Sequence, residues 1–310
     1  MSVSIRHVLH QGPVLASLVR TVASAAIARR RGNDTTTTPA VPGPWIQAEL
    51  PPRPDDLVRD YIRHVGGDPG SYRGTVPGHL FPQWAFGLVA QTFAGLSYPL
   101  ARGMNAGCRL ELRAPLPAGQ PLQVQVRLES VDDNGKRAIL TQRVITGTRD
   151  VPEAVVADMR VFVPLPAPKT EGTDEPRKKR NGSDDKARPS VPATARELAF
   201  TRLPANAGLD FAKLTGDFNP IHWIPAAAHA AGFRSVILHG FGTLARAIEA
   251  LNRRRFAGDV SQLAWVDARF VRPLVLPARV GVYVDDDALY VGDAPGGGAY
   301  LEGRFAPRNR

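Results

Sequence analysis

The chain has 310 residues, of which 43% are hydrophobic and 22% charged, and its formal net charge is +10. This length suits one large domain or two of ordinary size, and no run of about 18 uncharged apolar residues occurs, so no integral membrane segment is expected. The basic residues are scattered and form no stripe with interleaved aromatic residues. The charge therefore favours an anionic small molecule as partner over a nucleic acid.

Residues 1–44 are predicted to form an N-terminal helix and a connector. Apolar residues recur at near-helical spacing from Val14 to Val22, the run Arg29–Arg31 follows them, and residues 33–44 are rich in Thr and Pro. We expect this helix to pack on the rest of the protein, which would then be cytoplasmic. A mitochondrial targeting helix and a peripheral membrane helix are the alternatives.

Residues 45–166 are predicted to be a first structural unit with one helix and several strands. Apolar residues from Trp84 to Leu96 follow a helical spacing, and residues 109–116, 122–128, 138–145 and 155–163 alternate with a period of two. The single cysteine, Cys108, excludes an internal disulfide and is expected to be a buried, unreactive strand residue.

A charged segment, residues 167–195, is predicted to be a flexible linker because it offers almost nothing to bury. It contains the run Arg177–Arg180, which we interpret as solvated charge rather than as a nuclear or anionic-surface signal. The remainder, residues 196–310, then forms a second unit of similar size.

The second unit looks like a distant copy of the first. A helical pattern begins after His239 and runs to Leu251, and the strand pattern of residues 109–116 has a counterpart in residues 267–274. The predicted fold class is α+β, with a long helix laid across a curved antiparallel sheet, used twice.

The segment of the second unit that offers chemistry is residues 211–222. Gly216 permits a tight backbone path, and Asn219-Pro220 is a turn and helix-start signal. This places Asp217 in a loop and His222 in the first turn of a short helix, where a carboxylate and an imidazole can reach one cavity.

Such a pair suits the addition of water to an α,β-unsaturated thioester, since one group must accept a proton while another supplies one. An imidazole with a pKa near ~6.5 can do either. The developing charge on the thioester oxygen needs a donor, and the backbone N–H of Gly240, at the start of the second helix, is the candidate. The residues do not settle which of Asp217 and His222 handles which proton.

A known family shares this pattern. The matching residues are Leu214-Thr215-Gly216-Asp217, Asn219-Pro220-Ile221-His222, Ala230-Ala231-Gly232-Phe233 and Leu238-His239-Gly240. The chain resembles the MaoC-like dehydratases and R-specific enoyl-CoA hydratases, including the double hot-dog members. The resemblance implies two hot-dog units, catalytic Asp217 and His222, an orienting Asn219 and a thioester-binding Gly240. No spacing of His, Cys, Asp and Glu predicts a metal site, and no glycine-rich loop predicts a nucleotide cofactor.

The first unit departs from the family pattern, because His64 there has no Asp-x-Asn-Pro beside it. We therefore predict one active site per chain, with the first unit non-catalytic and shaping the acyl pocket. The expected function is a hydro-lyase on CoA or acyl-carrier-protein thioesters. A thioester hydrolase and a non-catalytic acyl-thioester binding subunit are the alternatives, and the protein is expected to be a monomeric pseudo-dimer or a homodimer.

Overall fold

Ten strands of the part of the chain that the structure describes form one continuous antiparallel sheet. The computed structural model describes residues 3–12, 40–166 and 189–308. The helical pattern from Val14 to Val22 and the basic run Arg177–Arg180 lie outside the described residues, as does most of the predicted linker. In the part of the chain that is described, no helix combines the length and the apolar character needed to cross a bilayer.

The first half contributes five strands to this sheet. They lie in the order β1-β5-β6-β7-β3, with bounds β1 Ile46–Leu50, β3 Met104–Leu112, β5 Leu122–Asp133, β6 Arg137–Gly147 and β7 Val155–Pro164. Two further short strands, β2 (Thr75–Val76) and β4 (Leu116–Pro117), pair with each other as a separate ribbon. Strands β5, β6 and β7 confirm the predicted stretches 122–128, 138–145 and 155–163, whereas β3 ends at Leu112, inside the predicted stretch 109–116.

The second half repeats the arrangement. Its strands lie in the order β9-β12-β11-β10-β8, with bounds β8 Arg196–Leu203, β9 Leu263–Phe270, β10 Ala278–Asp285, β11 Ala288–Gly292 and β12 Ala299–Pro307. Within each half, the strands that are first, third, fourth, fifth and second in the sequence follow one another across the sheet. The fold is therefore two hot-dog units.

The two units meet at their equivalent strands. β3 and β9 pair in antiparallel fashion, with Arg109 opposite Asp267. Because these strands are the sequence counterparts of each other, the pairing relates the halves by an approximate twofold axis. Prolines follow both strands, at Pro115 and Pro273, and each lacks the N–H that would continue the ladder.

Within the described ranges, five α-helices accompany the sheet: α1 Asp55–His64, α2 Pro82–Gln91, α3 Ala207–Thr215, α4 Pro225–Ala230 and α5 Gly240–Ala250. Helices α2 and α5 are the two predicted from apolar spacing. A π-helical turn, Leu251–Arg255, extends α5. The rings of Phe81 and Phe241, at the starts of α2 and α5, meet edge to face at 5.3 Å, so the two halves share one core.

Helix α2 is shorter than its apolar pattern predicts, because Phe93 and Leu96 lie beyond its end. The Gln142 side-chain amide, from β6, donates to the carbonyl oxygen of Val89 at 3.0 Å, and Thr92 Oγ1 donates to the same oxygen at 2.8 Å. Phe93 N–H bonds to Ala90 instead of Val89, which ends the α-helical pattern.

Cys108 lies in β3 and is completely buried. Burial raises the pKa of its thiol far above the ordinary value. The prediction of a buried strand cysteine is confirmed, and its low reactivity stays a prediction.

Candidate active site

The loop that holds Asp217 begins where α3 ends. Gly216 adopts a left-handed conformation with φ of 79°, and its N–H donates to the carbonyl of Ala212 at 2.8 Å. Glycine takes this conformation without steric cost and is the usual residue after a helix. The chain therefore turns sharply at Gly216, and Asp217 leaves the helix axis.

The next turn places His222. Asn219 Oδ1 accepts a hydrogen bond from Ile221 N–H at 3.3 Å, and Pro220 begins a short 3₁₀ helix that ends at His222. The Asn219 side chain is exposed, so its observed role is to cap this turn. The predicted arrangement of a loop followed by a short helix is confirmed.

Gly208 in α3 allows the turn that carries His222 to lie close against the helix, and this role was not predicted from the sequence. A Cβ atom at Gly208 would lie 2.1 Å from the carbonyl oxygen of His222. Only glycine permits this approach of helix and turn backbones. Its signal in the sequence, one glycine among apolar helical residues, does not distinguish it from other glycines.

His222 is buried, with 8% of its surface exposed. Its Nδ1 lies 2.8 Å from the carbonyl oxygen of Ile237. A carbonyl only accepts, so Nδ1 carries the proton and Nε2 remains the basic nitrogen. Burial lowers the pKa of His222, while Asp217 and the Ile237 carbonyl act in the opposite direction. The imidazole is thus neutral near pH 7 and able to accept a proton.

Asp217 is about one quarter exposed, and its Oδ1 accepts a hydrogen bond from Asn219 N–H at 3.3 Å. Its backbone carbonyl accepts from His239 Nε2 at 2.9 Å, and its Oδ2 lies 3.8 Å from the same nitrogen. One ligand atom from each of Asp217, His222 and His239 lies within 4.8 Å of the others. The two predicted catalytic side chains therefore converge.

His239 belongs to this group, although no role was predicted for it from the sequence. Its ring stacks on that of His222 with centroids 3.6 Å apart, and its Nδ1 has no hydrogen-bond partner among the described residues. Burial, and then the neighbouring His222, lowers its pKa to about 3. Since Nε2–H is donated to Asp217, Nδ1 is an acceptor that faces no protein donor. Its place directly before the helix-start glycine is the only sequence signal for this role.

Gly240 is the first residue of α5, so its N–H has no partner within the helix. No acceptor among the described residues takes this N–H. A Cβ atom at Gly240 would lie 2.6 Å from the ring of Phe270. The glycine thus leaves room for Phe270 while a free donor remains beside His239.

Comparison with known proteins assigns a family to this site. Residues 181–289 match the sequence profile described as MaoC like domain. The chain contains a MaoC-like dehydratase domain. That domain holds every residue of the site described above.

Two curated relatives from Mycobacterium tuberculosis share this likeness. The chain is 29% identical to Enoyl-CoA hydratase ChsH3 over 197 residues, which is 60% of this chain and 65% of that protein. It is 30% identical to 3-hydroxyacyl-thioester dehydratase X over 203 residues, or 64% of this chain and 66% of that protein. The match thus covers just under two thirds of either relative.

A solved structure extends the likeness beyond the MaoC-like domain. The crystal structure of HtdX from Mycobacterium tuberculosis aligns with 86% of this chain and 100% of its own, with a TM-score of 0.66 and 20% identity. The alignment includes the first half, so the two-unit fold is shared over nearly the whole length.

Behind the MaoC-like site, a largely buried cation is held in place by the first half. Phe211 packs on His239 with ring centroids 4.9 Å apart. Arg246, on α5, donates to the carbonyl of Gly242 at 2.8 Å and to the carbonyl of His64 at 3.1 Å. Burial lowers the pKa of Arg246 to about 10, and burial together with Arg246 lowers that of His64. His64, expected to have no role, therefore anchors an arginine beside the site.

A glycine of the first half, Gly78, makes a contact similar to that of Gly240. A Cβ atom at Gly78 would lie 2.4 Å from Leu112, as one at Gly240 would meet Phe270, and Leu112 and Phe270 are equivalent in the two strand patterns. A cavity of about 470 Å³ lies here, mainly apolar, and is lined in part by Gly78, His79 and Leu112. None of the residues lining it is Asp217, His222 or His239.

Proposed function

We propose that this chain is a hydro-lyase that adds water to trans-2-enoyl thioesters or removes it from (3R)-hydroxyacyl thioesters. The observation that carries the proposal is the convergence of Asp217 and His222 within 4.8 Å, with a neutral imidazole whose Nε2 is free to accept a proton. The relatives named as an enoyl-CoA hydratase and a 3-hydroxyacyl-thioester dehydratase support the same reaction class.

In the hydration direction, a water molecule lies between the Asp217 carboxylate and His222 Nε2. As the water oxygen bonds to C3 of the substrate, one water proton passes to Nε2, and the double-bond electrons move toward the thioester carbonyl. The imidazolium then returns the proton to C2, so that H and OH are both added and the enzyme is unchanged. Asp217 accepts the second O–H of the water and stabilises the transient imidazolium.

Negative charge collects on the thioester oxygen during this step. Gly240 N–H is an unpaired donor at the start of α5, where the helix dipole also favours negative charge. One hydrogen bond that strengthens as the oxyanion forms lowers the barrier more than it stabilises bound substrate. Gly240 therefore binds the thioester carbonyl.

The first unit contributes no catalytic pair and shapes the acyl pocket. The substrate carrier is anionic, either CoA or an acyl carrier protein, which suits a chain with a net charge of +10. The protein acts in the cytoplasm, either as a monomeric pseudo-dimer or as a homodimer. Asn219, Gly216 and Gly208 keep the catalytic turn in place without contacting substrate.

The test is a series of enoyl-CoA substrates of increasing chain length, assayed for loss of the conjugated double bond and for chirality of the product. Asp217→Asn and His222→Ala should each lower kcat by at least about 10³-fold, since His222 carries the proton and Asp217 holds the water and stabilises the imidazolium. His229→Ala is the matched control, because His229 is an exposed imidazole on α4 of the same domain.

Other outcomes separate the alternatives. Release of free thiol with the enoyl absorbance retained would identify a thioester hydrolase. Ligand binding without turnover on any carrier would identify a binding subunit. Full activity in both Asp217→Asn and His222→Ala would refute the mechanism.

A further inference from the structure

The N-terminal residues of the chain present two histidines to the first half of the fold. Residues Ile5–Gln11 form a 3₁₀ helix, in which residues three apart lie above one another. His7 and His10 therefore share one face, and their ring centroids are 6.1 Å apart. His7 is completely buried and His10 is partly buried.

Two carboxylates of helix α1 meet this face. Asp56 and Asp60 are four residues apart and so lie on one side of α1. The Oδ2 of Asp60 lies 2.8 Å from His7 Nε2. A carboxylate acceptor fixes the imidazole with its proton on Nε2, which leaves Nδ1 with a free lone pair.

That lone pair has nothing to bind in the protein. His7 Nδ1 is buried and has no hydrogen-bond partner among the described residues. An unpaired buried polar atom costs free energy, so its retention calls for a bound group. His7, His10 and Asp56 each bring one ligand atom within 4.8 Å of the other two.

We propose that His7, His10 and Asp56 bind a zinc ion, with Asp60 as the carboxylate that orients His7. Two imidazoles and one carboxylate suit Zn²⁺, and a water completes the tetrahedron. A histidine ligand whose other nitrogen donates to a carboxylate is the usual arrangement at zinc sites. Bonds of about 2.0–2.2 Å require ligand atoms roughly 3.3 Å apart, which side-chain rotation supplies at the half-buried His10 and Asp56.

The charged side chains around the proposed site are compatible with a bound metal ion. Arg6 lies 3.2 Å from Asp56 and 3.7 Å from Asp60, but its side chain is 57% exposed and can move into solvent. Asp56 Oδ1 also accepts from Leu57 N–H at 2.9 Å, and each carboxylate oxygen keeps a further lone pair for a metal.

Zinc bound here would crosslink the N-terminal 3₁₀ helix to α1 of the first half, in addition to its existing contacts with α3 of the second half. The segment already contacts α3, because Lys213 Nζ donates to the carbonyl of Val3 at 3.0 Å and Gln11 donates to the carbonyl of Lys213 at 3.2 Å. The proposed metal would add a bond from the same segment to α1. Its expected effect is on stability, and it takes no part in the hydration step.

The experiment uses the full chain, stripped with a chelator and then equilibrated with zinc and dialysed. Zinc content by elemental analysis should be one ion per chain lower in His10→Ala and in Asp56→Asn than in the wild type, and unchanged in His229→Ala. At zinc concentrations about 100-fold above Kd, the wild-type Tm should rise by roughly 5–10 °C, and the two site variants should show no rise. Cobalt in place of zinc should give the visible absorption of a tetrahedral site in the wild type only.

Asp217→Asn is the decisive second control, since Asp217, His222 and His239 are also placed to hold a metal. Asp217→Asn should keep the zinc that His10→Ala loses. Zinc lost in Asp217→Asn and kept in His10→Ala would move the metal to the other cluster and overturn the proposal. So would a wild-type chain that binds no zinc at micromolar concentration, or one that binds iron in preference. The chelator-treated variants should match the metal-free wild type in Tm, which separates loss of the metal from loss of the fold.

Discussion

Replacing Gly240 by alanine tests whether the N–H at the start of α5 binds the thioester. The added Cβ would lie 2.6 Å from the Phe270 ring, whereas ordinary contacts begin at 3.4 Å. The first turn of α5 and the Phe270 ring must therefore move apart by about 0.8 Å. A misplacement of a catalytic group by ~1 Å costs on the order of 100-fold in rate. We expect kcat to fall roughly 30- to 100-fold, together with a loss of about 1–3 kcal/mol of stability from overpacking.

Gly78→Ala is the matched control, because it creates a similar clash with Leu112, the counterpart of Phe270 in the first half. Its Cβ would lie 2.4 Å from Leu112 Cδ2 and 3.1 Å from Val155 Cγ2. We expect a comparable fall in Tm, with kcat within about twofold of the wild type because no reacting group lies there. Steady-state hydration kinetics and thermal unfolding of both variants give the comparison. Equal losses of kcat in the two variants would show that overpacking alone accounts for the effect, and the assigned role of Gly240 would be wrong.

Four further predictions concern the site and the core. Gly208→Ala would place a Cβ 2.1 Å from the His222 carbonyl, so kcat should fall by about 100-fold, and wild-type kinetics would contradict this. Because burial lowers the pKa of His222, the acid limb of kcat/KM should have its midpoint below ~6.5, and a midpoint above that value would exclude a neutral buried base. The pKa of His239 is about 3 in the folded chain, so between about pH 6.5 and pH 3 the unfolded chain binds more protons than the folded one. The free energy of unfolding should therefore fall by up to about 1.4 kcal/mol per pH unit as the pH drops. Urea titrations should show a weaker dependence of this free energy on pH in His239→Gln than in the wild type. A thiol reagent should label Cys108 only after unfolding, and rapid labelling of the native chain would contradict its burial.

The catalytic turn could be predicted because its information is local. Gly216 supplies the left-handed exit from α3, and Asn219-Pro220 starts the next turn, so the path from Asp217 to His222 follows from neighbouring residues. The strands could likewise be predicted from alternation, although β3 and β9 end at Leu112 and Phe270, before the prolines that the predicted stretches included.

Other features depended on residues far apart in the sequence. Helix α2 ends early because the Gln142 side chain reaches the carbonyl of Val89, a contact between residues 53 positions apart. Arg246 is held by His64 over a separation of 182 residues. No local pattern carries such pairings, because they exist only once the sheet brings the two halves together.

The sequence by itself determined which residues we propose to carry the chemistry: a glycine turn, a carboxylate and an imidazole within seven residues, from Gly216 to His222. The tertiary structure decided how that imidazole behaves. Burial in the core, where its ring stacks on His239, keeps it neutral, and the hydrogen bond to the Ile237 carbonyl leaves only Nε2 available. Short-range backbone preferences are written in adjacent residues, whereas burial and proton affinity depend on every atom that folding packs around a group.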